Sequence, residues 1–594
     1  MSQFLKNVLA SCLGVTVAFL LLFIIGIFFI GALAGSSGDK AVSVDKNSVL
    51  QLNFDKPVPE QTNNVETGAA MALKSEDVLG LNEIVEVIEH AATDDKIKGI
   101  YLNPDGGFQA GLATAATLRQ AVVKFKESGK FVVANSKYYT QGGYYLASAA
   151  DSVYVNPLGS VDFHGFSAMI PFFKDMLDRI GVKMEVFYAG NFKSATEPFR
   201  LNEMTDYNRL QMREFLEPAY SNFLTDIAAS RKKSVADLRG IADGLKVRTA
   251  EDAVALGLVD KIGYVDELIA GMKKQIGIKP DDNMNVVSLE DYASSFALKK
   301  DYKAKEKIAL VFAEGDILMD DGQRGTIVDQ KYVKLLRSIR KDDKIKAIVL
   351  RINSGGGSAI ASENIWREIE LAKAAGKKVV VSMGDYAASG GYYIACNADK
   401  IYAEPNTLTG SIGVFSMMPN ASKLFDEKLG IHWDTVKTAQ YSTGVNPFYD
   451  ISPKEAEQMQ YSTEAIYNTF LQRVAAGRHL TTDSVNTIGQ GRVWIAQRAK
   501  EIGLVDEIGD LDKAIAEAAT LSGLEKYRLE EYPRQMDPLQ EFLNELTGQG
   551  EDKGIQSKAV EKEFAAIYPN YKQVKSLLSA KGLQARLPFV LNFN

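Results

Sequence analysis

The sequence predicts an α/β protein in which one domain, built from βαβ units, occurs twice in tandem behind an N-terminal transmembrane helix. Three observations predict this fold: a long internal repeat, a regular alternation of strand-like and helix-like segments, and one uncharged apolar stretch near the amino terminus. A chain of 594 residues is also too long for a single hydrophobic core and should form two large domains.

The internal repeat keeps a constant separation of 248 residues. The segment DDKIKGIYLNPDGG returns as DDKIKAIVLRINSGGG, and residues 137–157 return as residues 385–405. This register places Gln141 of the first copy on Ser389 of the second copy. Two copies that keep their scaffold residues and differ at one polar position indicate a duplicated fold with a divided site.

Each copy contains the same order of elements: a strand, an amphipathic helix, an apolar strand, a glycine-rich turn, another helix and a third strand. Strands that alternate with helices are typical of βαβ units and a parallel sheet, where ligands collect at the carboxyl ends of the strands. In the first copy we expect strands at 48–54, 97–103 and 130–136, with a helix at 81–92 between the first two. In the second copy we expect strands at 307–317, 345–351 and 377–383, with a helix at 331–341 between the first two.

Four parts of the chain follow from these patterns. We expect a membrane anchor in residues 1–38, a first copy in residues 48–287, a second copy in residues 306–530 and an accessory segment in residues 531–594. The stretch between the copies is polar, and the last segment has no counterpart in the first copy.

The apolar stretch contains no charge between Lys6 and Asp39 and is long enough to span a bilayer. A cleaved signal peptide is the alternative, because residues 32–34 resemble a small-residue cleavage site. The long uninterrupted run favours a retained anchor. Lys6 and the amino terminus give a weak positive-inside signal, which places the rest of the chain outside the cytoplasm.

Composition and charge exclude several classes of function. The net charge is −7 and no basic stripe lies beside aromatic residues, so we expect no nucleic-acid partner. The two cysteines, Cys12 and Cys396, cannot form a disulfide within the soluble part. None of the four histidines has metal-ligand spacing, so we predict no metal, and nothing in the sequence indicates a cofactor.

Ser389 is the candidate nucleophile. It lies between an apolar strand and the helical segment GGYYIACNA, and a serine at such a turn is presented at the positive end of a helix. A serine that only caps the helix is the alternative. The repeat favours a functional role, since the first copy makes the same turn with Gln141 and the turn itself does not need a serine.

The glycine-rich turn of residues 353–357 follows a strand and precedes a helix. Backbone N–H groups in such a turn can form an oxyanion hole, although a simple connecting turn has the same appearance.

Lys193 is the candidate base. The two histidines of the second copy lie in neither a glycine-rich nor a sheet-edge context, whereas a lysine can serve if burial keeps it neutral. The segment YAGNFKSATEPF aligns with TAQYSTGVNPF when the separation becomes 249, which places Lys193 on Ser442. The first copy therefore has the lysine without the serine, and the second has the serine without the lysine.

These motifs resemble the signal peptide peptidase (S49) family of membrane-anchored serine proteases in its long, duplicated form. The resemblance covers nearly the whole soluble chain. It is carried by INSGGGSAIASE, MGDYAASGGYYIA and LTGSIGVF in the second copy and by NFKSATEPF in the first.

The resemblance implies a role for each residue of the site. Ser389 is the implied nucleophile, Lys193 the general base and later acid, and Ser411 the serine that orients the lysine. Gly356 and Gly390 are the implied oxyanion-hole donors.

Two positions depart from the family pattern. Gly355 stands where proline is usual, and Asp385 stands where glycine is common, close to the expected site entrance.

The resemblance further implies the Clp protease/crotonase-like fold and a homo-oligomer, with a tetramer for the long form. It implies a single-pass protein of a bacterial inner membrane whose catalytic domain faces the extracytoplasmic side. The implied substrates are signal peptides and other apolar segments.

Several alternatives stay open at this point. A broader envelope quality-control protease fits the same residues. A crotonase-type acyl-CoA enzyme and a non-catalytic membrane scaffold are less favoured, because carboxylates for the acyl-CoA chemistry are missing and the Ser389/Lys193 pair is intact. The sequence does not decide whether that pair forms within one chain or between chains.

Overall fold

The computed structural model describes residues 43–65, 77–296, 304–534 and 583–587, apart from positions 106, 109, 321 and 323, together with the isolated residues 14 and 21. The predicted membrane anchor therefore lies outside the described residues except at those two positions. Within the described ranges, no helix is long and apolar enough to cross a membrane.

The first copy forms a parallel sheet. Its strands are β1 (Ser48–Asn53), β2 (Ile97–Asn103), β3 (Phe131–Ser136), β4 (Ser152–Val155), β6 (Lys261–Ile262) and β7 (Val286–Ser288). Their order is β6-β4-β3-β2-β1-β7 and every pairing is parallel, as the alternation of strands and helices predicts.

The second copy repeats this topology and extends it. Its strands are β8 (Lys307–Glu314), β11 (Ile345–Ser354), β13 (Lys378–Ala388), β14 (Lys400–Ala403), β15 (Leu408–Gly410), β17 (Val493–Ile495), β18 (Glu507–Ile508) and β19 (Arg528–Tyr532). The strand series β18-β14-β13-β11-β8-β19 corresponds to the six strands of the first sheet. The added strands β15 and β17 pair antiparallel with each other, so this sheet is mixed.

A third sheet joins the two copies. Its strands are β5 (Lys183–Ala189), β9 (Asp316–Leu318), β10 (Thr326–Val328), β12 (Gly356–Ser358), β16 (Val414–Asn420) and β20 (Gln584–Arg586), in the order β10-β9-β12-β20-β16-β5. Strand β5 belongs to the first copy in sequence and pairs antiparallel with β16 of the second copy along its whole length. The chain that leaves β5 is thereby carried to the second copy.

Helices cover the sheets and connect their strands. They are α1 (Leu81–Thr93), α2 (Leu112–Lys126), α3 (Gln141–Ala147), α4 (Lys174–Ile180), α5 (Glu197–Arg200), α6 (Asp206–Arg231), α7 (Val235–Asp243), α8 (Ala250–Ala255), α9 (Val265–Ile276), α10 (Leu289–Ser294), α11 (Asp329–Lys341), α12 (Ala359–Ala374), α13 (Gly390–Ala395), α14 (Pro453–Arg478), α15 (Thr482–Ile488), α16 (Ala496–Glu501) and α17 (Leu511–Leu521). A 3₁₀ turn spans Ser194–Thr196 and a π-helical turn spans Leu424–Leu429.

The burial pattern explains these elements. Helix α11 buries Tyr332, Leu336 and Ile339, which recur every three to four residues and form one apolar stripe. Strand β11 is buried at nearly every position, because helices cover both faces of a parallel sheet and such strands are continuously apolar. The glycine turn follows the carboxyl end of β11, and Ser389 follows the carboxyl end of β13.

Candidate active site

Ser389 lies between the end of β13 and the start of α13. Its backbone has φ 55° and ψ −114°, a region that residues other than glycine seldom occupy. The Ser389 N–H donates to the Gly410 carbonyl (2.8 Å), and the Tyr393 N–H donates to the Ser389 carbonyl (2.8 Å). These bonds hold a sharp strand-to-helix turn of the kind that presents a nucleophilic serine.

Lys193 reaches the second copy because β5 is part of the shared sheet. The Phe192 N–H, one residue earlier, donates to the Gln490 carbonyl of the second copy (2.8 Å). Gly491 has φ 77°, and a Cβ atom added there would lie 2.7 Å from the Lys193 backbone nitrogen. A glycine is therefore required where the lysine segment crosses the second copy.

The side-chain nitrogen of Lys193 contacts two serines of the second copy. Its Nζ atom lies 2.8 Å from Ser389 Oγ, 3.1 Å from Ser411 Oγ and 3.3 Å from the Ser411 carbonyl oxygen. Ser411 also has a positive φ of 50°, and its hydroxyl donates to the Gly491 carbonyl (3.3 Å). The structure thus brings together the three side chains predicted from the sequence.

Burial determines the electrostatics of this site. Lys193 is 1% exposed, and both serines are fully buried. Loss of water around the amine lowers the pKa of Lys193 well below its ordinary value. Lys193 takes part in none of the salt bridges found among the described residues, so no carboxylate opposes this effect. A lysine in this state can accept the proton of a neighbouring hydroxyl.

The glycine turn lies directly against the nucleophile turn. Gly356 has φ 96°, and a Cβ atom added there would lie 2.6 Å from the Gly390 nitrogen. The Gly356 N–H itself donates to Ser354 Oγ (3.1 Å), whereas the family resemblance implies that it is an oxyanion-hole donor. Its neighbour Gly357 pairs across the sheet with Ala585 of β20.

Buried polar residues outside the predicted site support the lysine segment. Gln211 of α6 donates from Nε2 to the Phe192 carbonyl (3.2 Å) and to Ser194 Oγ (2.8 Å), and its Oε1 accepts the Val493 N–H (3.3 Å). Glu197 is 1% exposed and accepts from Asn208 Nδ2 (2.8 Å). Glu197 lies in the motif NFKSATEPF, whereas only the buried polar composition of α6 could have indicated Asn208 and Gln211.

Asp385 does not lie at the site entrance, contrary to expectation. Its carboxylate is buried and accepts the N–H groups of Ala113 (2.8 Å) and Thr114 (3.0 Å). These groups belong to the first turn of α2 in the first copy, so Asp385 caps that helix across the boundary between the copies.

Two other features of this region are structural. Cys396 is a fully buried cysteine, and burial raises the pKa of its thiol to about 12. The tyrosines of the GGYY segment are packing residues: the Tyr392 hydroxyl donates to the Leu504 carbonyl (2.8 Å), and the Tyr393 hydroxyl donates to Glu363 (2.5 Å).

The combination of a strained serine turn, a buried lysine and tandem mixed α/β domains defines the class of serine proteases. Comparison with known sequences agrees with this class. The model of Peptidase family S49 matches residues 124–279 and 371–525, and the Clp protease model matches residues 299–409.

Named relatives cover most of the chain. Protease 4 of Salmonella typhi is 37% identical over 476 residues, which are 79% of this chain and 76% of the relative. Protease 4 of Haemophilus influenzae is 34% identical over 505 residues, 82% of this chain and 81% of the relative. The chloroplastic serine protease SPPA of Arabidopsis thaliana is 30% identical over 513 residues, 84% of this chain and 73% of the relative.

The chain therefore belongs to peptidase family S49, as a serine protease with tandem S49 domains. The family resemblance that the sequence motifs indicate is confirmed.

Proposed function

We propose that this chain is a membrane-anchored serine endopeptidase that uses a Ser389–Lys193 dyad and degrades cleaved signal peptides in or at the membrane. The observation that carries the proposal is the 2.8 Å contact between Lys193 Nζ and Ser389 Oγ, inside a site from which water is excluded. A lysine in water would be charged and could not act as a base.

The reaction proceeds in two stages. Ser389 Oγ attacks the carbonyl carbon of the substrate while the neutral amine of Lys193 accepts its proton. Lys193 then donates this proton to the leaving amine, which gives an ester between the substrate and Ser389. In the second stage Lys193 deprotonates water, which attacks the ester carbonyl. Lys193 then returns the proton to Ser389 Oγ as the acid product leaves. Ser411 holds the amine in position during both stages through its contact with Nζ.

Backbone N–H groups stabilise the oxyanion that forms in each stage. Gly390 stands at the first position of α13, next to the nucleophile, and is the first donor. The second donor comes from the turn of Gly356 and Gly357. Gly357 suits this role better, because the Gly356 N–H is engaged by Ser354 Oγ.

The substrate class and location rest on the amino-terminal sequence. Residues 7–38 are uncharged and largely apolar, which suits a single-pass anchor in a bacterial inner membrane with the catalytic domains on the extracytoplasmic side. Apolar peptides that partition into the bilayer would meet an anchored protease by diffusion in two dimensions. One relative, 35% identical over 186 residues, is the putative signal peptide peptidase SppA of Enterococcus faecium. A homo-oligomer, a tetramer in the long form, is part of the proposal.

Degradation in liposomes tests the substrate class. The full chain and a variant lacking residues 1–38 are compared on a synthetic signal peptide in liposomes and on a soluble fluorogenic peptide, with Ser389→Ala as the inactive control. We expect the deletion to slow degradation of the membrane-bound peptide while the soluble peptide is hydrolysed as before. Equal rates for the full chain on the signal peptide and on an unfolded soluble protein would instead indicate a broader quality-control protease.

A further inference from the structure

Gln211 of α6 forms a clamp between two segments that build the lysine side of the site. Its side chain is fully buried. Its Nε2 donates to the Phe192 carbonyl (3.2 Å) and to Ser194 Oγ (2.8 Å), on either side of Lys193. Its Oε1 accepts the N–H of Val493, at the start of β17 in the second copy (3.3 Å). One side chain of the first copy therefore holds the lysine segment against a strand of the second copy.

The chain that leads into β17 also positions Ser411. The Ser411 N–H donates to the Arg492 carbonyl (2.6 Å), and the Ser411 hydroxyl donates to the Gly491 carbonyl (3.3 Å). Gly491 and Arg492 directly precede Val493. The clamp thus joins the segment that carries Lys193 to the segment that holds the serine in contact with its amine.

The orientation of the Gln211 amide is fixed by its partners. The Val493 N–H can only donate, so the amide oxygen must face it. Nε2 of Gln211 also donates to Asn208 Oδ1 (3.2 Å), and Asn208 Nδ2 donates to Glu197 (2.8 Å). Asn208 and Glu197 are buried as well. A chain of buried hydrogen bonds therefore runs from Glu197 to the lysine segment, and such a network rigidifies the groups that it joins.

The second copy has the same glutamine in a different environment. Helices α6 and α14 each have 26 residues, and Gln211 and Gln458 both stand at the sixth position, each followed by methionine. Gln458 is exposed, and the second copy has Ser442 where the first has Lys193. The glutamine is buried only in the copy that carries the lysine, so the helix itself does not require a buried glutamine here.

We propose that Gln211 is a positioning residue of the reaction: it sets the place of the Lys193 amine by clamping the lysine segment to the chain that holds Ser411. The proposal rests on the proposed function, because it takes Lys193 as the base. Without the clamp the lysine segment should move away from the second copy. The contact between Lys193 Nζ and Ser389 Oγ should then lengthen, and water should reach the amine.

Charged side chains near the lysine segment do not offset the burial of its amine. The charged and titratable side chains on the elements packed against this segment include Glu197, Arg200, Tyr207, Glu214, Tyr467 and Arg492. Arg492 and Glu214 pair with each other, and none of the salt bridges among the described residues includes Lys193. Because burial lowers the pKa of Lys193, water that enters the site should raise it.

Matched substitutions in the two helices test the proposal. Gln211→Met keeps the length of the side chain and removes its hydrogen bonds, and Gln458→Met makes the same change at the equivalent position of α14. Both variants are compared with the unaltered chain and with Lys193→Ala on an apolar fluorogenic peptide. The constants kcat and KM are determined separately at several pH values between neutral and strongly alkaline, and urea unfolding reports whether each variant is folded.

We expect Gln211→Met to lower kcat at neutral pH by at least about tenfold with little change in KM, because the amine is displaced while the peptide groove is intact. The deficit should shrink as the pH rises, since the pKa of Lys193 moves back toward its ordinary value and the amine becomes neutral only at higher pH. Gln458→Met should match the unaltered chain. An unchanged kcat in folded Gln211→Met, or a deficit that is equal at every pH, would overturn the proposal.

A second variant covers the case in which Gln211→Met does not fold. Ser194→Ala removes the shortest bond of the clamp (2.8 Å) and leaves Gln211 in place. We expect kcat to fall by about threefold, with the same dependence on pH. A kcat equal to that of the unaltered chain at every pH would contradict the proposal. Full activity of Lys193→Ala would instead overturn the proposed function, because the clamp would then have no base to position.

Discussion

The two copies of the domain connect a strand to a helix at equivalent positions, but with different backbones. Ser389 is the N-cap of α13 with φ 55°, whereas Gln141 is the first residue of α3 and follows the N-cap Thr140, which has φ −65°. In the second copy the turn holds Ser389 against Lys193 Nζ. In the first copy Gln141 occupies the equivalent position, where its Nε2 donates to the Gly165 carbonyl (3.1 Å) and its Oε1 accepts the N–H groups of Gly165 (2.9 Å) and His164 (3.2 Å). In the first copy this position is therefore structural.

At two further positions a residue of the site in the second copy corresponds to a packing residue in the first copy. Phe163 stands 248 residues before Ser411 and packs edge-on against Tyr144, with ring centroids 5.9 Å apart. Phe108 stands 248 residues before Gly356, is 1% exposed and contacts Phe54. Aromatic side chains therefore stand in the first copy where the second copy has Ser411 and Gly356. The first copy thus has a packed turn of its own and places Lys193 against Ser389 of the second copy.

The largest expected effect comes from the two dyad residues. Ser389→Ala and Lys193→Ala should each lower kcat/KM on an apolar fluorogenic peptide by at least about 10³-fold, because nucleophile and base act as a unit. The matched control is Gln141→Ala, which changes the equivalent turn of the first copy. It should retain activity and lose about 1–3 kcal/mol of stability through unpaired N–H groups. Full activity of either dyad variant would remove that residue from the mechanism.

The next largest loss of activity is expected at Gly491, where the lysine segment of the first copy packs against the second copy. Gly491→Ala would push a methyl group to within 2.7 Å of Lys193 backbone atoms and should lower kcat by about 10²-fold through misplacement of the amine. Gly503→Ala is the control, because Gly503 has a similar φ of 82° with no atom within 4 Å of an added Cβ. Both variants carry the same backbone strain. Equal losses of activity in both variants would show that strain, and not the contact with Lys193, is responsible.

A smaller effect is expected at the lysine-orienting serine. Ser411→Ala removes one hydrogen bond of 3.1 Å to Lys193 Nζ and should lower kcat by about tenfold with little change in KM. Steady-state kinetics on the same fluorogenic peptide separates the two constants. A change confined to KM would place Ser411 in substrate binding.

The smallest effect is a dependence of stability on pH. Burial lowers the pKa of Lys193 in the folded chain, so between that value and the ordinary value of 10.5 the unfolded chain binds one more proton. The free energy of unfolding should therefore rise with pH through this window. Urea unfolding at several pH values should show a shallower slope for Lys193→Met than for the unaltered chain. Identical slopes would mean that the folded chain keeps this lysine protonated.

The same lysine also makes the rate of catalysis depend on pH, and the rate, like the stability, should rise with pH. Because the neutral amine is the reactive form, kcat/KM should rise with pH and level off above an apparent pKa well below 10.5. Lys193→Arg should be inactive at every pH, since arginine keeps its proton.

Much of the fold could be predicted from local patterns. The apolar strands and amphipathic helices have periodicities that a sequence displays directly, and β2 begins and ends at the predicted residues. The contact between Ser389 and Lys193 could also be predicted, because the comparison of the two copies showed a serine in one and a lysine in the other. Because the domain occurs twice in one chain, positions that are the same in both copies could be assigned to the scaffold and positions that differ to the site.

Contacts between the copies could not be predicted. The pairing of β5 with β16 joins residues more than two hundred positions apart, and nothing within either strand indicates its partner. The cap that Asp385 forms on α2 is equally non-local and leaves no local pattern in the sequence. The place of Asp385 in its motif suggested the site entrance instead. Strand β20 is three residues long and has no counterpart in the first copy.

The central claim is that the first copy supplies the base to the second copy within one chain. Co-expression of the two inactive variants, Ser389→Ala and Lys193→Ala, tests it most directly, with the activity of the mixed oligomers measured on the fluorogenic peptide beside each variant alone. Because Lys193 and Ser389 of a single chain lie in hydrogen-bond contact, the account predicts no recovery of activity in the mixture. Recovery in oligomers shown to contain both variants would contradict it and would place the dyad between chains.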